Sequence, residues 1–320
     1  MERWSGVLRV PLHANGRAFY QVAASLCLSP SSKSPTVPSA NAIFFSGDRV
    51  VGTENPVIER LSDLQNIAEV LVSKIAGSVN AWVIEASMFS GPFAVYKDFI
   101  PSVNQRGEPK SYDPTGFPAS SSVVSLLSNC LKEAKSVILQ RHKESNLASI
   151  SGSQFHRPKT LIFGFSKGGT VVNQLVTELG FSELGSCRDQ TRVEEEHHQI
   201  IPSTKESFLN SITEIHYVDV GLNSIGAYIT DSNLIEKISR HLAQGEGDEG
   251  IRFVLHGSPR QWCDSKRNWV RDEKDRLFHL LQSATLRSGG KLQVSERFYF
   301  ADRPPDLQMH FEIIEKLDVS

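Results

Sequence analysis

Thr160-Leu161-Ile162-Phe163-Gly164-Phe165-Ser166-Lys167-Gly168-Gly169-Thr170-Val171-Val172-Asn173-Gln174-Leu175-Val176 is the stretch on which the reading of this chain turns. Thr160 to Phe163 is a short apolar run of the kind that forms a buried strand, and Gly169 to Val176 reads as an apolar-faced helix. Between them Gly164-Phe165-Ser166-Lys167-Gly168 fits G-x-S-x-G. That pattern is a steric device, because flanking glycines let a strained serine stand clear where a strand turns sharply into a helix. Chance alone places roughly 0.2 such motifs in a chain of this composition, so the strand before it and the helix after it supply the specificity. The plainer alternatives are a Gly-Ser turn at an ordinary strand-to-helix junction, or a helix N-terminus that binds an anion.

Outward from this elbow, strands alternate with helices. On the N-terminal side Ala42 to Phe45 and Ala81 to Ile84 read as buried strands with a helix from about Pro56 to Ala76 between them. Ser120 to His142 is a helix with one apolar face. On the C-terminal side come strands at Glu214 to Val220, Ile251 to Leu255 and Leu292 to Phe300, with helices at Leu234 to Leu242 and Trp269 to Ser283. This order predicts one doubly wound, mostly parallel sheet over residues 1–320, which with the elbow is an α/β-hydrolase fold. Val7 to Val10, Asn15-Gly16 and Ala18 to Val22 predict an N-terminal hairpin, since Asn-Gly readily supplies positive φ. The Ser- and Pro-rich segment 29–40 reads as an exposed loop, and 182–205 as a polar insertion outside the core. Ser87 to Pro118, with Phe89, Phe93, Tyr96 and Phe99, reads as a long loop over one end of the sheet.

The chain has 320 residues, and its 34 basic and 36 acidic side chains are mixed along it, which argues against nucleic acid as a partner. Cys27, Cys130, Cys187 and Cys263 stand too far apart for zinc or redox dithiol motifs, and a reducing, intracellular compartment is expected. No apolar run is long enough to span a bilayer, and MERWSGVLRV lacks the apolar core of a secretory signal. Glu194 to His198 reads as a solvated charge run and no metal or other cofactor is expected; phosphate-loop, zinc-protease and dinucleotide motifs are absent from the sequence.

A serine hydroxyl requires a base, and the chain order Ser, acid, His directs the search toward the C-terminus. His310, beyond the last strand, is the candidate base. Asp264, in the loop after Ile251 to Leu255, is the favoured acid, with Asp219 at the end of the preceding strand as the alternative. Donors for an oxyanion are expected from the backbone N–H of Lys167 and from Ser46-Gly47-Asp48, with the Lys167 side chain pointing elsewhere.

Phe44-Phe45-Ser46-Gly47-Asp48, Tyr96-Lys97-Asp98-Phe99, the elbow GFSKGG, Ser258-Pro259-Arg260-Gln261-Trp262-Cys263-Asp264 and His310-Phe311 together resemble the eukaryotic serine-hydrolase-like family typified by human chromosome two open reading frame sixty-nine. The resemblance implies an α/β-hydrolase fold, a triad at Ser166, Asp264 and His310 and, for animal members, a mitochondrial location; a cytoplasmic one is the alternative. The expected activity is hydrolysis of an ester, thioester or lipid-like acyl substrate, with the aromatic loop Phe89 to Phe99 as an apolar wall. The competing expectations are a noncatalytic binding or regulatory protein of the same fold and an acyltransferase. Protein partners are unknown at this level.

Overall fold

The computed structural model describes residues 2–13, 16, 18–141, 157–182, 200–245 and 250–319. Ten strands lie among the described residues. They are β1 (Glu2–Pro11), β2 (Phe19–Leu28), β3 (Ala40–Phe45), β4 (Val79–Ile84), β5 (Met88–Ser90), β6 (Phe93–Val95), β7 (Lys159–Phe165), β8 (Ile212–Val218), β9 (Ile251–Gly257) and β10 (Leu292–Phe298). The helices are α1 (Pro56–Ser62), α2 (Leu64–Lys74), α3 (Pro118–Arg141), α4 (Gly169–Leu179), α5 (Lys205–Ser211), α6 (Ser232–Gln244), α7 (Pro259–Trp262), α8 (Asn268–Arg287) and α9 (Leu307–Lys316).

Eight strands form one sheet in the order β1-β2-β4-β3-β7-β8-β9-β10. β1, β2 and β4 pair antiparallel, and every pair from β4 to β10 is parallel. This is the α/β-hydrolase architecture. The central strands are apolar at successive positions because both of their faces are covered. Ile43 and Phe45 of β3 enter one buried cluster, shared with α3, α4, α6 and α8, while Ala42 and Phe44 enter the other, shared with α1, α2 and α9. Since β3, β7, β8 and β9 run parallel, their C-terminal ends meet along one edge of the sheet, where four loops converge.

Several elements differ from the sequence reading for local reasons. The single helix expected over 56–76 is two, because Asp63 adopts an extended backbone (φ −77°, ψ 123°) and its carboxylate caps the second by accepting from the Asn66 N–H. The N-terminal hairpin is longer than expected, with a register running from Glu2 opposite Leu28 to Pro11 opposite Phe19; Asn15 of its turn lies outside the described residues. Most of the 182–205 insertion, with Cys187 and the Glu194 to His198 run, also lies outside them. Its C-terminal end is part of the core: Ile200 and Ile201 are buried, and the Ile200 carbonyl accepts from Asn41 Nδ2 at 2.9 Å. Among the described residues no helix is long and apolar enough to cross a membrane.

A buried polar line crosses β8, β9 and the end of β10. Glu214 Oε2, His216, His256 and Tyr299 Oη are linked at 3.0, 3.0 and 2.9 Å, and the rings from Phe163 through His216 and His256 to Tyr299 are stacked. An ionised Glu214 is acceptor-only, so His216 Nε2–H donates to it, and each following donor is then determined. His256 Nε2–H donates to His216 Nδ1, and the Tyr299 hydroxyl donates to His256 Nδ1. Burial, the largest influence on both histidines, holds them below the ordinary imidazole value. Protonating His216 would drive two N–H groups together at the 3.0 Å contact between the rings, and protonating His256 would set its Nδ1–H against the Tyr299 hydroxyl proton.

Candidate active site

The elbow has the geometry its sequence requires. β7 ends at Phe165, Ser166 to Gly168 form a 3₁₀ turn, and α4 follows at once. Ser166 has φ 53°, a left-handed conformation that costs a non-glycine residue on the order of 1–3 kcal/mol. The strain persists because the surroundings leave no space to relax: a Cβ on Gly164 would stand 2.5 Å from Val172 Cγ2 and 2.7 Å from Gly169 Cα, and one on Gly168 would overlap the Phe45 carbonyl. The two motif glycines therefore serve close approach of α4 and β3 to the turn.

His310 lies in the first turns of α9, whose N-terminus is capped by Asp306 accepting from the Met309 N–H at 2.7 Å. The imidazole is 6 % exposed and packs on Phe165 of the elbow strand, ring centroids 4.7 Å apart. Its Nδ1 is 2.6 Å from Asp219 Oδ2. Asp219 is fully buried, immediately past β8, with φ 45°. Three further bonds hold it: its N–H donates to the His256 carbonyl at 2.8 Å, and its two carboxylate oxygens accept from the Ser258 N–H at 2.8 Å and Oγ at 2.9 Å. An ionised carboxylate only accepts, so Nδ1 donates to it, which leaves Nε2 of a neutral His310 as an acceptor.

The carboxylate that meets the imidazole is thus Asp219, the alternative, and the expectation of Asp264 at this place is corrected. Asp264 is committed locally. It caps the 3₁₀ turn at Ser265–Arg267 through the Lys266 N–H at 2.9 Å and pairs with Arg267 Nε at 2.9 Å; the Arg267 hydrogen bond, the largest influence, holds its carboxyl below the usual value. It remains at the mouth of the same cavity.

That cavity, of about 370 Å³, is lined by Ser166, Lys167 and His310 together with Asp48, Gln261 and Arg260 among others. Gly47 passes so close to the serine that a Cβ there would lie 2.6 Å from Ser166 Cβ and 3.1 Å from its Oγ. The flanking residues of this loop are tied down, Ser46 N–H to the Ile84 carbonyl at 3.0 Å and Arg49 N–H to the Pro92 carbonyl at 2.8 Å. Among the described residues, no protein acceptor takes the N–H of Gly47 or Asp48. Backbone donors next to the serine, free of protein partners, are what an oxyanion needs.

Lys167 also follows its own course. Its side chain is 2 % exposed, donates to the Arg106 carbonyl at 2.8 Å, pairs with Asp48 Oδ1 at 3.0 Å and lies over the Phe93 ring. Asp48 in turn accepts from the Ala94 N–H at 2.8 Å, so this ion pair pins the β5–β6 hairpin against the elbow. The aromatic segment is less of a wall than expected. Phe93 lines the cavity, but Tyr96 and Phe99 pack edge-on to Phe45 in the core, and Phe89 lies beneath the Arg49 guanidinium at 4.0 Å.

Sequence reasoning missed the clamp residues. Ser258 holds Asp219. Glu108, buried, accepts from the Asn223 N–H at 2.8 Å and the Ser224 hydroxyl at 3.1 Å, and Glu273 accepts from the Gly226 N–H at 2.8 Å, so two carboxylates order the loop after Asp219. For Ser258 a local signal existed, since a serine between a strand end and a proline is an N-cap pattern. For Glu108 and Glu273, partners 115 and 47 residues away leave no local trace. Among the described residues there is no group of three or more His, Cys, Asp or Glu side chains placed to hold a metal ion.

The sheet order and the strained elbow define an α/β-hydrolase-fold protein. The match to a family profile over residues 115–287 is more specific, and by it the chain belongs to the C2orf69 family. It is 24% identical to the mitochondrial protein C2orf69 homolog of Mus musculus, over 79% of this chain and 69% of the mouse protein. It is 22% identical to mitochondrial protein C2orf69 of Homo sapiens, over 89% of this chain and 76% of the human one. Among solved structures it is similar to siderophore hydrolase EstA from Aspergillus nidulans, with 12% identity, a TM-score of 0.46 and coverage of 98% and 92% of the two chains.

Proposed function

We propose that the chain is a serine hydrolase of acyl compounds, ester or thioester, in which Ser166 is the nucleophile, His310 the base and Asp219 the acid that orients it. The observation that carries this reading is the 2.6 Å contact between His310 Nδ1 and Asp219 Oδ2, beside a serine at φ 53° that lines the same cavity as the imidazole. Ser166 Oγ adds to the acyl carbonyl as its proton passes to His310 Nε2. The oxyanion is received by the backbone N–H of Lys167 and by those of Gly47 and Asp48. The leaving alcohol or thiol departs with the proton from Nε2, and water then repeats the addition to release the acid and restore Ser166. Membership of the C2orf69 family, whose relatives are named mitochondrial proteins, assigns the same compartment to this reaction.

Labelling with a fluorophosphonate probe tests the reading. Wild-type protein is expected to label covalently, and Ser166→Ala and His310→Ala to lose labelling at unchanged circular dichroism. A folded wild type that takes up no probe would instead favour a noncatalytic binding role for the fold.

A further inference from the structure

We infer that the cavity in front of Ser166 receives a short acyl compound carrying an anionic group, and that Arg260 takes that charge. The inference deepens the acyl-hydrolase reading and rests on it for the word acyl; the charge preference has its own observations.

The first is the balance of charge around the cavity. Asp48 is paired with Lys167 at 3.0 Å, Asp264 with Arg267 at 2.9 Å, and His310 with the buried Asp219 at 2.6 Å. Arg260, which also lines the cavity, is partly buried and has no carboxylate partner among the described residues. A partly desolvated guanidinium without a counter-ion is a planar donor array suited to a carboxylate or phosphate. Its backbone is firmly held, since Trp262, two residues on, is buried against Phe298, ring planes 6° apart, and its Nε1–H donates to Tyr228 Oη at 3.1 Å.

The second is an unfilled polar group beside it. Gln261 is 5 % exposed, and its Oε1 is buried without a hydrogen-bond partner. The backbone of Gly221 comes so close that any Cβ there would overlap this amide. Buried polar atoms are rarely left unpartnered; as an oxygen this atom calls for a donor, and only with the terminal amide turned over, its –NH₂ in this place, would it meet an anion. The third is size. A cavity of about 370 Å³ lies near the lower end of the roughly 300–1,000 Å³ of small-molecule sites, and its apolar contribution comes from Val50, Phe93, Leu222, Leu307 and Phe311. That suits a few methylenes between the acyl carbonyl and the charge better than a long lipid chain.

A matched pair of esters tests this: mono-4-nitrophenyl glutarate, with a terminal carboxylate, against 4-nitrophenyl pentanoate, with a methyl in its place. Wild type is expected to favour the anionic ester in kcat/KM by roughly tenfold to a hundredfold at low salt, the scale of one charged hydrogen-bonded contact. Arg260→Gln should bring the ratio to about one, and Arg260→Lys should retain part of it. A ratio near one in wild type, or one that Arg260→Gln leaves unchanged, overturns the inference while fluorophosphonate labelling of Ser166 still upholds the hydrolase. Binding of both esters to Ser166→Ala protein, measured by ligand-observed NMR, decides the matter without catalysis. A preference for the anionic ester that Arg260→Gln removes supports the charge site even if Ser166 is not labelled; equal binding of the two, or binding of neither, overturns it.

Discussion

His310 and His256 are both buried imidazoles with Nδ1 committed, one to Asp219 at 2.6 Å and the other to Tyr299 at 2.9 Å. They differ at the second nitrogen. His256 Nε2 is held by His216 at 3.0 Å inside a closed, stacked line between strands, whereas His310 Nε2 has no protein partner among the described residues and its ring lines the cavity that holds Ser166. A histidine whose two nitrogens are both satisfied by protein contributes stability and specifies register. One with a single nitrogen facing a polar cavity keeps an acceptor available to a reacting proton. The two networks also touch, because the His256 carbonyl accepts from the Asp219 N–H, so the closed line buttresses the open one.

The comparison is broken most severely by removing the open network. Ser166→Ala or His310→Ala should lower turnover of an acyl ester by about 10⁴-fold or more, measured with either ester above; Ser166→Ala costs little stability, whereas His310→Ala also removes one partner of the buried Asp219. Next, Asp219→Asn should lower kcat by roughly 10³–10⁴-fold, since it permits the wrong imidazole tautomer. Asparagine tolerates the φ of 45° at this position, which keeps the test from being one of folding. Asp264→Asn should cost less than tenfold; the opposite ranking would return the acid role to Asp264. Gly47→Ala should cost about 10²-fold in kcat, because the added methyl carbon stands 2.6 Å from Ser166 Cβ and displaces either the loop or Ser166.

The closed network should respond in stability rather than turnover. His256→Leu strands His216 Nδ1 and the Tyr299 hydroxyl, and a loss of about 2–3 kcal/mol is expected in urea unfolding, with activity per folded molecule reduced less than tenfold. The smallest effect is the pH dependence of the same unfolding free energy. Because His216 and His256 are held below the ordinary 6.5 in the folded state, the unfolded chain binds more protons under that value. Their contribution is full above about pH 6.5 and is lost as pH falls. Replacing both by phenylalanine should flatten the dependence of stability on pH between roughly pH 5 and 6.5, and an unaltered slope would show that the line does not titrate.

Local order was readable from the residues themselves. A strand such as Ala40–Phe45 betrays itself by a continuous apolar run, and the elbow by glycines whose absent side chains make room for α4 and β3. His310 was singled out by position, since it follows the last strand of a sheet whose loops emerge at one edge. The carboxylate that meets the imidazole was not so readable. Two aspartates leave neighbouring strand ends at that edge, and composition and spacing treat them alike. Only the packed structure separates them: Asp219, one residue beyond β8, is turned by its positive φ into the grip of Ser258 and toward α9, while Asp264, seven residues beyond β9, is satisfied by Arg267 three positions away. The clamps at Glu108 and Glu273, the burial of Ile200 at the end of a polar insertion, and an Arg260 with no carboxylate partner among the described residues likewise depend on neighbours distant in the chain. Periodicity and turn stereochemistry act over a few residues and are written in the sequence; which carboxylate is left without a nearer partner is a property of the assembled sheet edge.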